Sequence, residues 1–217
     1  MKTLILLSTL FAMGMSAQFS AAAQQEILDA HNEFRRSIAD GSFTVEGQDE
    51  SVPTAANMRE IYWDDDLADE SSDFAEECPD KHADNVFGEN LSRSWSTEAP
   101  TSLGKYGKMA SERWAAEFQK FGFDGPDTPF SYDNGHARQM AWANTDRIGC
   151  GVKNCGEDES VDNLNKVVVV CRYSTAGNVE DEPIYEEGEA CSACSDDMTC
   201  YDSLCSQSIN TFFNTFY

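Results

Sequence analysis

The sequence predicts an α+β sandwich rather than a doubly wound parallel sheet. Amphipathic helical patterns occupy the first half of the 217-residue chain, and the strongest strand pattern, "KVVVVCRYS" at 166–174, comes late. Helix and strand signals therefore lack the strict βαβ alternation of a parallel sheet. The eight cysteines all fall after residue 77, an even count that points to disulfides if the chain is exported.

Export is predicted by the first residues. A basic start at Lys2 precedes an apolar run over 3–15, too short for a membrane span, and small residues follow at 16–23. This reads as a signal peptide at 1–17, cut after Ala17, with a second candidate cut near Ala23. No later run is long enough to cross a bilayer.

In "QQEILDAHNEFRRSIADG" (24–41), Ile27, Ala30, Phe34 and Ile38 recur at helical spacing and Gly41 supplies a stop. Residues 42–57 read as a polar loop. A second helix lies within 58–78, with Leu67, Ser71, Phe74 and Cys78 on one face. The acidic run Asp64–Asp66 suits the positive end of its dipole. Residues 92–107, rich in Ser, Thr, Pro and Gly, read as another loop. A third helix spans 108–123, with Met109, Trp114, Phe118 and Phe121 on its apolar face. Residues 136–152 and 166–174 read as strands, and the unbroken Val run of the latter fits a strand buried on both faces.

After Ser174 the chain turns acidic and poor in apolar residues, with Cys191, Cys194, Cys200 and Cys205 close together. Such a segment needs staples. Disulfides and a zinc site compete for these four; the export signal and the lack of a nearby histidine favour disulfides. The net charge of −24 makes nucleic acid and anionic membranes poor partners.

The chain has only three histidines. His82 and Glu89 follow the second helix, Glu117 lies on the third, and His136 opens the first predicted strand. Two imidazoles and two carboxylates from separate elements could share one cleft. Imidazoles hold divalent cations, and a carboxylate can orient an imidazole or serve as a base. Spacing alone also allows the ordinary reading, in which His82 is a solvated loop residue and Glu117 an exposed helix carboxylate.

Six ordered blocks carry a family resemblance: "AHNEFR" (30–35), "MREIYWDDDLADESSDFAEEC" (58–78), "FGENL" (87–91), "GHARQMAW" (135–142), "IGCGVKNC" (148–155) and "VVVCRYSTAGNV" (168–179). Together they resemble the CAP superfamily of cysteine-rich secretory, antigen 5 and pathogenesis-related class 1 proteins, in a style similar to nematode venom-allergen-like members. The resemblance implies a three-layer α–β–α sandwich over 24–180, a cysteine-rich hinge at 181–205 and a C-terminal tail at 206–217. It implies that His82 and His136 hold zinc or another divalent cation and that Glu89 and Glu117 are the proposed catalytic partners. It implies the pairs Cys78–Cys155 and Cys150–Cys171, with Cys191–Cys200 and Cys194–Cys205 in the hinge. His31 belongs to the helix signature and to packing.

Ala137 stands where the family usually has an aromatic residue, and Arg138 where threonine is usual. An inward Arg138 would repel a cation and offer a partner to a carboxylate or phosphate. The favoured function is a secreted, non-enzymatic extracellular binding protein for another protein, a glycan or a lipid. A cation-dependent hydrolase and a sterol or small-lipid carrier are the alternatives. No Ser–His–Asp order or free cysteine nucleophile supports peptide hydrolysis. "NLS" at 90–92 is a glycosylation sequon, expected to stay unmodified because Asn90 adjoins the site motif.

Overall fold

A computed structural model describes residues 19–48, 51–84 and 88–208. The predicted signal peptide and the end of the tail, from 209 onward, lie outside them. Helix α1 spans Ala21–Ala39, and the Ser20 side chain accepts from the Ala23 N–H to cap it. Strand β1 is Tyr62–Trp63, α2 is Asp65–Glu76, β2 is Gly88–Ser96, α3 is Lys105–Phe121 and α4 is Gly135–Ala141. The long strands β3, Arg147–Asp158, and β4, Leu164–Ser174, follow, and a hairpin of β5, Met198–Tyr201, and β6, Leu204–Gln207, ends the described chain.

The main sheet has the order β1-β3-β4-β2, with β1 parallel to β3 and the other pairs antiparallel. The valine run explains the layers. Val167, Val169, Cys171 and Tyr173 join the large core with Ile27, Phe34, Trp114, Phe118 and Met140 of α1, α3 and α4. Val168 and Val170 face the other way, against Ala75 of α2 and Leu91. Helices therefore cover both faces, and the fold is the three-layer α+β sandwich.

Three readings of the sequence are corrected. Residues 92–96 extend strand β2 instead of starting a loop. Ser92, Ser94 and Ser96 are half-buried on β2 opposite Val169, Val167 and Asn165 of β4, and their small polar side chains mimic loop composition. Residues 135–141 form a helix, so β3 begins only at Arg147. Phe121 is exposed, because α3 turns it away from the core just before Gly122.

The glycines of "GCG" have a steric reason. A Cβ at Gly149 would overlap the backbone of Leu67 and Ala68, and one at Gly151 the backbone of Ser71 and Ser72. Their absence lets α2 lie directly on β3, where the Ser71 hydroxyl donates to Gly149 O at 2.8 Å.

Four disulfides join Cys78 to Cys155, Cys150 to Cys171, Cys191 to Cys200 and Cys194 to Cys205. The cysteine-rich segment shares the main core: Ile184, Tyr185 and Leu204 are buried in it. The Cys205 N–H donates to Met58 O at 2.8 Å, and Glu60 N–H donates to Cys205 O at 3.0 Å. Asp202 and Ser203, both at positive φ (49° and 65°), form the two-residue turn of its hairpin.

Gly149→Ala should destabilise the protein by roughly 1–3 kcal/mol, since backbone cannot move aside as a side chain can. Gly104→Ala, where a Cβ meets only ordinary contact with Ala23, should cost less than about 1 kcal/mol. Urea unfolding with disulfides intact measures both.

Candidate functional site

The site rests on polar residues buried beneath it. His31 is fully buried, with Nδ1 2.8 Å from Ile27 O and Nε2 2.9 Å from the Tyr173 hydroxyl. A carbonyl can only accept, so Nδ1 carries the proton and Nε2 accepts from Tyr173. Asn90, 1% exposed, donates its amide to the same hydroxyl at 3.1 Å and to His136 O at 3.2 Å. One chain of hydrogen bonds thus connects α1, β4, β2 and α4. Both bonds of the Asn90 amide are directed inward, and its side chain is shut off from solvent.

The four candidate residues form two pairs. Glu117 Oε1 lies 2.6 Å from His136 Nδ1, and Glu117 Oε2 accepts the N–H groups of His136 and Ala137, each at 3.0 Å. Asn134, the N-cap of α4, makes no side-chain cap. A carboxylate from α3 does that work, which explains why local sequence did not reveal the helix. Glu89 stands on β2, not on the loop. Its Oε1 lies 2.9 Å from His82 Nδ1 and accepts from Ala83 N at 3.1 Å, and its Oε2 is 3.7 Å from Arg172 Nε. Burial pushes the Glu89 carboxyl upward, but the bonds from His82 and Ala83 and the charges of His82 and Arg172 outweigh it. The carboxyl is held below its ordinary range.

The two imidazoles face each other with ring centroids 6.1 Å apart. Since carboxylates accept from both Nδ1 atoms, each neutral imidazole carries its lone pair on Nε2. The indole of Trp114 stacks on His136 at 5.8 Å between centroids and fixes that ring from behind. The hollow between the pairs has a volume of about 280 Å³. Gly88 permits its close wall, because a Cβ there would overlap the Gln139 side chain.

The profile described as CAP, the cysteine-rich secretory protein family, matches residues 28–173. The chain belongs to the CAP family. Venom allergen 5 of Vespa magnifica is 33% identical over 172 residues, covering 76% of this chain and 72% of that protein. Peptidase inhibitor 16 of Mus musculus is 30% identical over 197 residues, 89% of this chain but only 36% of that protein. The chain thus spans about a third of the length of that relative. The crystal structure of NaASP2 with Zn2+ superposes at a TM-score of 0.74 and 30% identity, over 87% of this chain and 97% of that one. The structure of BmVAL-1 gives a TM-score of 0.77 at 26% identity, over 90% and 98% of the two chains.

Within this CAP domain, sequence reasoning overlooked Phe130 and Tyr132. Both line the cleft and both are exposed, Tyr132 at 95%. Aromatic rings in a polar loop were their only signal. Ala137, which stands where the family usually has an aromatic residue, is fully buried in the core and does not line the cleft. Arg138 does not line the histidine cleft either, so it does not repel a cation there. The zinc alternative at the C-terminal cysteines also fails on chemistry. Sulfurs of Cys191, Cys194 and Cys205 lie within 4.8 Å of one another, but all are in disulfides and offer no thiolate.

Burial lowers the His31 pKa from 6.5 to about 4, helped by the nearby charge of Arg35 and opposed by the bond to Ile27. The unfolded chain takes up this proton first as pH falls. Stability from His31 is therefore complete above pH 6.5 and is lost between 6.5 and 4, a loss of roughly 3 kcal/mol. His31→Gln should flatten that part of the stability–pH curve, as read by denaturant unfolding at several pH values.

Proposed function

We propose that the chain is a secreted, non-enzymatic extracellular binding protein whose cleft takes a divalent cation, zinc first, on Nε2 of His82 and His136. The observation that carries this reading is the matched pairing of each Nδ1 with a glutamate. That pairing aims both lone pairs into one hollow and raises the basicity of each ring. NaASP2, alike in fold and 30% identical, was crystallised with Zn2+, which supports the choice of metal. Two protein ligands leave the remaining positions to water, so affinity is modest.

The glutamates argue against a hydrolase. Glu117 accepts three hydrogen bonds, and Glu89 accepts two beside Arg172. Carboxylates so engaged orient the histidines and are poorly placed to take a proton from water. The lipid-carrier alternative has a groove of about 420 Å³ between α1 and α3, floored by Phe34 and Phe43. Its rim carries Glu26, Asp29, Glu33 and Glu112 against Lys108 alone, an excess of negative charge that disfavours fatty carboxylates.

Phe130 and Tyr132, packed edge to face at 5.9 Å, form an exposed aromatic lip on the cleft. Such a lip suits a sugar ring or a protein side chain as partner. Export is supported by the apolar leader, by four disulfides and by relatives named as venom allergens and scoloptoxins. Among the described residues, no helix is long and apolar enough to cross a membrane.

Calorimetric titration with zinc should show saturable binding that the His82→Ala/His136→Ala double variant abolishes. Glu117→Gln, which leaves both ligands in place, should weaken binding about 10–100-fold. No heat with the native chain, or equal heat with the double variant, would remove the cation from this cleft.

A further inference from the structure

Arg138 is 4% exposed, and its surroundings leave most of it unused. Its Nε donates to Asn178 Oδ1 at 3.2 Å, and its guanidinium carbon sits 5.8 Å from the centroid of the Trp142 ring. Among the described residues, neither Nη atom has a protein hydrogen-bond acceptor, and no carboxylate lies within ion-pair distance. The other arginine buried as deeply is treated differently: Arg35 directs all its N–H groups at carbonyl oxygens. Both Nη atoms open onto solvent at the adjoining hollow, so water serves them until the acceptor of a ligand displaces it. Burial, with no neighbouring charge to oppose it, lowers the pKa of Arg138.

Arg138 lines a hollow of about 360 Å³ on the far side of Phe130, a residue shared with the wall of the histidine cleft. That volume lies within the range of small-molecule sites, about 300–1,000 Å³. Pro126, Pro129, Phe130 and Pro183 give it apolar walls. Asp127, Glu180, Asp181 and Glu182 line the same hollow and are exposed to solvent.

These charges restrict the ligand. A bare anion would satisfy Arg138 but meet four carboxylates and a chain of net charge −24. A bare cation would suit the carboxylates and leave Arg138 unpaired. We propose that this hollow is a second ligand site, separate from the histidine cleft, that takes a small zwitterion. The ligand is an amino acid with an apolar side chain, its carboxylate held in the fork of Arg138 Nη1 and Nη2. Its ammonium group faces the rim acids, and its side chain lies against the proline and phenylalanine walls. The paired Nη atoms match a carboxylate bidentately, which a lysine could not do.

The test titrates the whole chain with L-leucine while following the Arg138 Nε–H resonance by nitrogen-15 NMR and the heat by calorimetry. L-Leucine should shift that resonance saturably. Acetate and isoamylamine, its two charged ends taken separately, should each bind at least tenfold more weakly. Asp181→Asn/Glu182→Gln, at exposed positions that leave folding intact, should weaken leucine and strengthen acetate. Arg138→Lys should weaken leucine at least tenfold while keeping the charge, and His82→Ala/His136→Ala should leave it unchanged. The site is overturned if leucine gives no saturable shift of Arg138, or if Arg138→Lys binds it as well as the native chain. A zwitterion ligand is overturned if acetate binds as tightly as leucine. Loss of leucine binding in the double-histidine variant would overturn a separate site, whereas loss of zinc binding alone would bear only on the cleft.

Discussion

The guanidinium of Arg35 is the constraint on which the rest of the structure depends. It is wholly buried, and its N–H groups reach five carbonyl oxygens, those of Arg59, Met140, Trp142, Ala143 and Thr145, at 2.7–3.1 Å. Guanidinium has five donors in a fixed plane, so each donor has an acceptor. Burial lowers its pKa to about 9, with Asp146 opposing, so the charge persists at neutral pH. Three of the five acceptors lie between α4 and β3, and a fourth, Met140 O, lies in the last turn of α4. Replacing Arg35 would leave those acceptors with no other donor unsatisfied, at roughly 1–3 kcal/mol for each such group, while Trp142 O keeps the Thr145 N–H and Ala143 O the Arg59 N–H. The exit of α4 is therefore fixed by a side chain of α1, and with α4 goes His136.

The same logic runs through the other polar residues of "AHNEFR". Asn32 donates to Ile61 O and accepts from Ile61 N, each at 2.9 Å, which ties α1 to the start of β1. His31 holds Tyr173, Tyr173 meets Asn90, and Asn90 holds the backbone of His136. Each step uses a buried group that would cost free energy if left alone, so the network has one satisfied arrangement and little freedom to drift. The cleft inherits that rigidity. Its imidazoles are aimed by carboxylates whose own positions are set by strand β2 and helix α3.

What could be read in the sequence follows from which interactions are local. The helical spacing of Ile27, Phe34 and Ile38 is local, and all three are buried as that spacing implies. The run Val167–Val170 announced a strand covered on both faces, and both faces are covered. Helix α4 was hidden because its cap is Glu117, eighteen residues upstream of the helix start. Strand β2 was hidden because its order comes from pairing with β4, residues 164–174. The scarcity of histidine brought the four site residues forward as candidates, and the resemblance to a family pattern singled them out as one site. Their spacing in the chain carries no trace of the two carboxylate–imidazole pairs, which exist only once three elements pack together. The aromatic lip of Phe130 and Tyr132 had no periodicity to betray it.

Charge is distributed so that four of the fifteen Lys and Arg residues lie inside. The chain has fifteen Lys and Arg against thirty-nine Asp and Glu. Arg35, Arg138, Lys166 and Arg172 are all buried. Lys166 meets Asp80 at 2.6 Å, and Arg172 meets Glu70 at 3.2 Å. Cations that would otherwise neutralise the surface instead hold backbone carbonyls, anchor carboxylates at the sheet, or face a hollow. The exterior is consequently more acidic than the sum of its residues suggests. An acidic exterior draws cations toward the cleft by long-range attraction and turns away polyanions. On the proposal for that hollow, an anion reaching Arg138 would bring its own positive charge. On the proposed readings of the two hollows, one uneven placement of charge would select among ligands at both, although the hollows differ in their chemistry.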